Sequence, residues 1–250
     1  MFTAGPRLLV SVVSPDEVEA VLSGGADIVD VKNPAEGALG APTPALLRAV
    51  ASRVPPPVEV SAALGDAPHL PGTLALAAAG AAACGPAFVK VGLLGSARPE
   101  QAVFLLTAVR QAAEQANPRT RVIAVAYADA ARVGGLPPQE LPGVAHRAGI
   151  SGVMLDTAVK DGTSTLGALG EAGVAAFLAA ARSLGLITAL AGSLGRGDLA
   201  LVHRLGVDIV GVRGAACEGG RNGIVSAARV RGLREALGLS VPASPAYGLR

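Results

Sequence analysis

The sequence predicts one α/β domain, a (β/α)8 TIM barrel spanning residues 1–250, and three observations predict it. The length of 250 residues suits a barrel that closes as one unit. Eight short β-branched runs recur along the chain. Between them lie Ala/Leu-rich stretches of helical period, the pattern of a parallel sheet with crossover helices.

In order, the first run is Leu8 to Val13, followed by a helix over Pro15 to Leu22 with Ser14 and Gly24 as its caps. The second run, Ile28 to Lys32, precedes a helix over Pro44 to Ala51. Val58 to Leu64 leads to Gly72 to Ala83, and Phe88 to Leu94 leads to Pro99 to Gln115. Val122 to Ala128 is the fifth run, with no helix assigned after it. Gly152 to Thr157 leads to Val174 to Leu184, Ile187 to Gly192 to Leu199 to Leu205, and Ile209 to Gly214 to Val225 to Leu237. An internal echo fits this scheme. Gly25-Ala26-Asp27-Ile28-Val29-Asp30-Val31-Lys32 resembles Gly206-Val207-Asp208-Ile209-Val210-Gly211-Val212-Arg213, each a left-handed glycine turn, a turn-tolerant Asp and a buried strand. Six such units would instead have suggested an open doubly wound sheet.

Composition narrows the function classes. With 51% hydrophobic and 16% charged residues the chain folds, and with 2% aromatics and no Trp its core is built from Ala, Val and Leu. A net charge of +2 with scattered arginines argues against nucleic acid and leaves a small anion as ligand. The most apolar stretch, Leu74 to Ala83, ends at Cys84-Gly85-Pro86, short of the ~20 residues that span a bilayer. No targeting segment is expected, and Cys84 and Cys217 have no CxxC spacing, so a reducing cytoplasm is the expected location. Homo-oligomerisation is left open.

Lysine usage points to the chemistry. Of 21 basic residues only Lys32, Lys90 and Lys160 are lysine, and arginine cannot replace lysine where the amine must lose its proton. Codon bias with chance survivals would explain the number but not the positions. Lys32 ends the second strand, Lys90 lies in the fourth and Asp156 ends the sixth, so alternate strands would bring them into one layer. Parity puts Asp30 with Lys32 and Met154 with Asp156. A free lysine with a pKa of ~10.4 is only about one part in 10³ amine at neutral pH. Desolvation and a second ammonium would raise that fraction, while Asp30 and Asp156 would lower it. The resulting iminium would acidify the neighbouring carbon for a second lysine or a carboxylate to deprotonate.

A phosphate seat is expected in the loops after strands seven and eight, at Gly192-Ser193 and Arg213-Gly214, where glycine lets backbone N–H groups approach and Arg213 would hold phosphate bidentately. No metal site is expected: His69, His146 and His203 lack ligand spacing. Asp66, Asp129, Asp161 and Tyr127 follow or end strands three, five and six without an assigned role, and Cys217 reads as a buried small residue.

Several segments together resemble one family. They are Asp27-Ile28-Val29-Asp30-Val31-Lys32-Asn33-Pro34, Glu36-Gly37-Ala38-Leu39-Gly40-Ala41, Val89-Lys90-Val91-Gly92-Leu93, Tyr127-Ala128-Asp129-Ala130, Leu155-Asp156-Thr157-Ala158-Val159-Lys160-Asp161-Gly162 and Gly211-Val212-Arg213-Gly214-Ala215-Ala216-Cys217. In this order they resemble (5-formylfuran-3-yl)methyl phosphate synthase, the 4-HFC-P synthase of methanofuran biosynthesis. The resemblance implies a lyase without metal or organic cofactor that condenses two glyceraldehyde 3-phosphate molecules, losing phosphate and water. It implies Lys32 as the Schiff-base residue, Lys90 in proton transfer, and Asp156 and Lys160 in the site. The small, glycine-rich Thr163 to Gly170 and the tail after Asn222 match it poorly. The alternatives are a Schiff-base aldolase of another phosphorylated sugar, separable by its product, and a phosphometabolite-binding barrel without catalysis.

Overall fold

The computed structural model describes residues 5–66 and 69–240. Eight parallel strands close in sequence order: β1 (Arg7–Val12), β2 (Ile28–Val31), β3 (Glu59–Ala63), β4 (Phe88–Gly92), β5 (Arg121–Tyr127), β6 (Gly152–Asp156), β7 (Ile187–Leu190) and β8 (Ile209–Val212), with β8 pairing back onto β1. The helices are α1 (Val18–Ser23), α2 (Pro44–Ala51), α3 (Pro71–Ala82), α4 (Pro99–Ala116), α5 (Ala130–Val133), α6 (Leu141–Arg147), α7 (Thr165–Ser183), α8 (Leu199–Arg204) and α9 (Ala227–Ala236). None among the described residues is long and apolar enough to cross a membrane.

Strand parity divides the core in two. Val10, Val12, Val29, Val31, Val89 and Val91 face outward into the layer shared with the helices. The intervening Leu9, Ile28, Phe88, Ile123, Val125 and Met154 fill the barrel interior, as period-two alternation requires. At the N-terminal end of the strands, Glu59 accepts from Arg7 and from Arg121, the latter at 3.1 Å, and the Arg121 guanidinium stacks 4.1 Å from the Phe88 ring centroid. This trio forms the barrel floor.

The expected strands lie where the sequence puts them, mostly a residue or two shorter. The Ser14 side chain caps the first turn, which is a 3-10 turn over Pro15–Glu17 before α1 begins. Gly24 ends α1 with ordinary helical φ, and Gly25 supplies the left-handed turn. Helix α6 fills the missing place after β5; Pro142 and Gly143 in its first turn hid its periodicity. Helix α7 begins at Thr165 rather than Val174, because Ser164 caps it and Gly170, at φ 72°, breaks it into two pieces. A hairpin unforeseen in the sequence, β9 (Cys217–Glu218) with β10 (Ile224–Val225), follows β8.

Candidate active site

The inward positions of β2, β4 and β6 rise in steps of two residues from the floor. Ile28 and Phe88 come first, Asp30, Lys90 and Met154 second, Lys32 and Asp156 third. Lys90 therefore sits one layer below Lys32 and Asp156, which corrects the expectation of one shared layer. At the lower level Lys90 Nζ donates to Asp30 Oδ2 at 2.8 Å, and Ser11 Oγ donates to the same oxygen at 2.9 Å. Lys90 is 4% exposed and Asp30 fully buried, so each is the other's compensation in a poorly solvated place. Among the described residues, Asp30 Oδ1 and the register neighbour Ser61 Oγ have no hydrogen-bond partner. Asp30 does not line the cavity; it holds Lys90, which does.

At the upper level, Lys160 Nζ donates to Asp156 Oδ1 at 2.7 Å and to Thr157 Oγ1 at 3.2 Å, and the Thr157 N–H donates to Asp156 Oδ1 at 2.7 Å. Burial alone would raise the Asp156 carboxyl, but Lys160, Lys32 and the Thr157 N–H together hold it below the usual carboxylate value. Lys32 differs from the other two lysines. Among the described residues no carboxylate oxygen lies within 4.0 Å of its amine. Burial, reinforced by Lys90 and Lys160 and opposed by Asp156 and Asp30, brings its pKa down from 10.5 to about 8. The competition left open in the sequence is thus decided by desolvation. At pH 7 roughly one Lys32 in ten is a free amine, against about one in 10³ for an ordinary lysine.

The second-tier aspartates brace loops. Both carboxylate oxygens of Asp129 accept from the backbone of the Lys160 loop, from Ala158 N at 2.7 Å and Val159 N at 2.9 Å. Asp66 Oδ2 accepts from Leu39 N at 3.0 Å, which seats Ala38 and Leu39 in the barrel mouth, and Asp66 Oδ1 accepts from Tyr127 Oη. Burial, above all, raises the Asp66 carboxyl. Gly92 makes room for this pair, since a Cβ there would stand 1.9 Å from Asp66 Oδ1 and 2.6 Å from Tyr127 Oη. Asp161 lies outside, bonded to Arg132 and Thr163 N. Cys217 is buried, as expected, and burial raises its thiol pKa.

A cavity of about 360 Å³ opens above these layers, lined by Lys32, Lys90, Asp156 and Lys160 on one side. Gly192, Ser193, Gly214 and Ala215 line the other. Arg213 also lines it, but its donors are turned to the protein rather than free for the bidentate phosphate contact the sequence suggests. Its Nε donates to Arg221 O, its Nη1 to Ser11 O and Glu17 Oε2, and its Nη2 to Glu17 Oε1 and Gly223 O, all at 2.8–3.1 Å. All five guanidinium N–H groups are thereby committed. Arg213 is a strut between the loops after β1 and β8. The sequence reading missed Arg221, a half-buried guanidinium on the cavity wall. The available signal was an arginine framed by Gly219, Gly220 and Gly223 just after the last strand.

The sequence model of the 4-HFC-P synthase family matches residues 8–234. The chain belongs to the 4-HFC-P synthase family. The match runs past Asn222, further along the chain than the motifs alone carried the resemblance. Members similar to this chain include the (5-formylfuran-3-yl)methyl phosphate synthase of Methanopyrus kandleri, 49% identical over 93% of this chain and 99% of its own length. That of Methanothermobacter thermautotrophicus is 47% identical over 92% and 98%. Membership of the 4-HFC-P synthase family makes this chain an enzyme, consistent with its set of buried, mouth-facing lysines. Among solved structures, KGPDC from Streptococcus mutans aligns with TM-score 0.65 and 14% identity over 94% of this chain and 98% of its own. Phosphoribosyl anthranilate isomerase from Thermus thermophilus aligns with TM-score 0.57 and 16% identity over 93% and 98%. At such identities the likeness is one of fold.

Proposed function

We propose that the chain is a (5-formylfuran-3-yl)methyl phosphate synthase of methanofuran biosynthesis, that two molecules of glyceraldehyde 3-phosphate are its substrates, and that Lys32 is its nucleophile. The observation that carries this reading is the state of Lys32. It is the cavity amine without an adjacent carboxylate, and burial holds its pKa at about 8.

Lys32 Nζ attacks the aldehyde carbon, the carbinolamine loses water, and the protonated imine draws electrons from the neighbouring C–H bond. Asp156, held ionised and lining the same cavity as Lys32, is the base assigned to that proton. The enamine so formed expels the phosphate from its third carbon. That carbon, after loss of a further proton, adds to the carbonyl of the second triose phosphate in its ketone form. The partner's terminal hydroxyl closes on the first triose's middle carbon, two waters leaving as the furan ring forms. Lys90 and Lys160, each bound to a carboxylate, supply protons to departing oxygens and recover them from the aspartates. The iminium is finally hydrolysed, which returns Lys32 and releases the furan aldehyde.

Borohydride added with glyceraldehyde 3-phosphate is expected to fix triose-phosphate mass on the peptide containing Lys32. Without borohydride, the same incubation should develop a furan chromophore. Lys32→Arg should abolish both. An adduct of undiminished yield in that variant places the nucleophile elsewhere and overturns the reading.

A further inference from the structure

We propose that Arg221 is the side chain that reads the substrate's phosphate, completing a seat whose other donors are backbone N–H groups of the loops after β7 and β8. This deepens the triose-phosphate reading above and rests on it for the identity of the anion's carrier.

The side chains on the cavity wall single it out. Five cations line it: Lys32, Lys90, Lys160, Arg213 and Arg221. Lys90 is held by Asp30, Lys160 by Asp156, and Arg213 by Glu17 and three carbonyls. Lys32 must stay a free amine to react. Arg221 has no carboxylate within 4.0 Å among the described residues, and its guanidinium makes one hydrogen bond, from Nη2 to Gly37 O at 3.3 Å. A long bond to a neutral carbonyl is readily exchanged for shorter, charge-assisted bonds to a phosphate, in the forked geometry that guanidinium favours.

The backbone opposite is also unoccupied. The N–H groups of Gly192, Ser193, Leu194, Gly214 and Ala215 donate to no protein acceptor among the described residues. Gly192 takes φ 88°, and a Cβ there would lie 2.3 Å from Thr165 Oγ1 and 2.7 Å from Thr157 N, so only glycine fits the turn. Ser193 follows at φ 51°, an uncommon conformation for a residue with a side chain. The Arg221 backbone packs on Gly214, whose Cβ would be 3.5 Å from Arg221 N. The base of the Arg221 side chain is therefore anchored against the second of these two loops, which favours capture of one anion by both.

The test uses the full chain, with inorganic phosphate as the probe in titration calorimetry and with Lys32 borohydride labelling compared between glyceraldehyde 3-phosphate and glyceraldehyde. Arg221→Ala and Arg221→Gln, each checked for an unchanged thermal midpoint, should lose phosphate affinity by about 10- to 100-fold and lose the preference for the phosphorylated aldehyde by a similar factor. Arg221→Lys should retain part of both. If both quantities match the unaltered protein in these variants, the assignment of Arg221 is overturned even where the Lys32 adduct forms. If phosphate affinity depends on Arg221 and yet no triose adduct forms at Lys32, the seat stands and the Schiff-base reading falls instead.

Discussion

The floor and the mouth of this barrel both gather charge around the sheet axis, but with different cations in different surroundings. At the floor, Arg7 and Arg121 share Glu59, all three remain partly exposed, and Arg121 lies over Phe88. At the mouth the central cations are lysines, and Lys32 and Lys90 are 8% and 4% exposed. Guanidinium stays charged at any working pH, and that permanence suits a plug. An amine can be stripped of its proton by desolvation, and that lability suits a reaction. The contrast teaches that basic residues here are sorted by whether the charge has to persist.

Exchanging the two cation types across the barrel breaks this comparison most sharply. Lys90→Arg should keep the fold and a net positive partner for Asp30 while turnover falls by about 10²–10³-fold, because arginine cannot give up its proton. The mirror change at the floor, Arg121→Lys, should leave turnover where it was. Steady-state kinetics with circular dichroism decides the matter. Near-normal turnover in Lys90→Arg would remove Lys90 from proton transfer and leave it a structural ion pair.

The next largest effect sets stability against chemistry at Lys32. Its folded pKa of about 8 lies below the unfolded 10.5, so between these values the unfolded chain binds more protons. Stability therefore climbs as pH rises through that window, and at pH 7 the buried ammonium carries its whole penalty. Lys32→Met should be inactive yet more stable at pH 7 by about 1–3 kcal/mol, with the climb above pH 8 abolished. Urea melts at pH 7 and pH 10 measure this. In the unaltered protein, the labelling rate should rise with pH and level off above about 8. A labelling rate that still increases steeply above pH 9 would mean that burial does not depress this amine.

What was legible in the sequence follows the same division between local and distant causes. The strands announce themselves because a doubly buried parallel strand must be Val/Ile-rich, and the rarity of lysine marks Lys32, Lys90 and Lys160 directly. The layer of Lys90 is not legible because the level of a side chain depends on the barrel's stagger as well as on parity. The bonding of Arg213 is not legible because its partner, Glu17, sits 196 positions away on the first turn after β1, and nothing near Arg213 signals it. Asp66 and Asp129 look like solvated loop residues until their acceptors meet Leu39 N, Ala158 N and Val159 N. Arg221 stayed hidden because a glycine-framed arginine reads as an ordinary turn until the cavity wall is seen.

The smallest expected effect is at the floor and tests the other half of the comparison. Glu59→Gln removes the carboxylate shared by Arg7 and Arg121. Both guanidiniums keep contact with water, and Arg121 keeps its stacking on Phe88. Solvated pairs of this kind contribute under about 1 kcal/mol, so the urea midpoint should shift only slightly, and less still in high salt, where the pair is already screened. Turnover should not change, since the floor lies two inward layers below Lys32. A loss of about 3–5 kcal/mol, the scale expected for stranding a buried charge, would mean that the floor cations are as poorly hydrated as those of the mouth. Lysine and arginine would then have been sorted by something other than the permanence of charge.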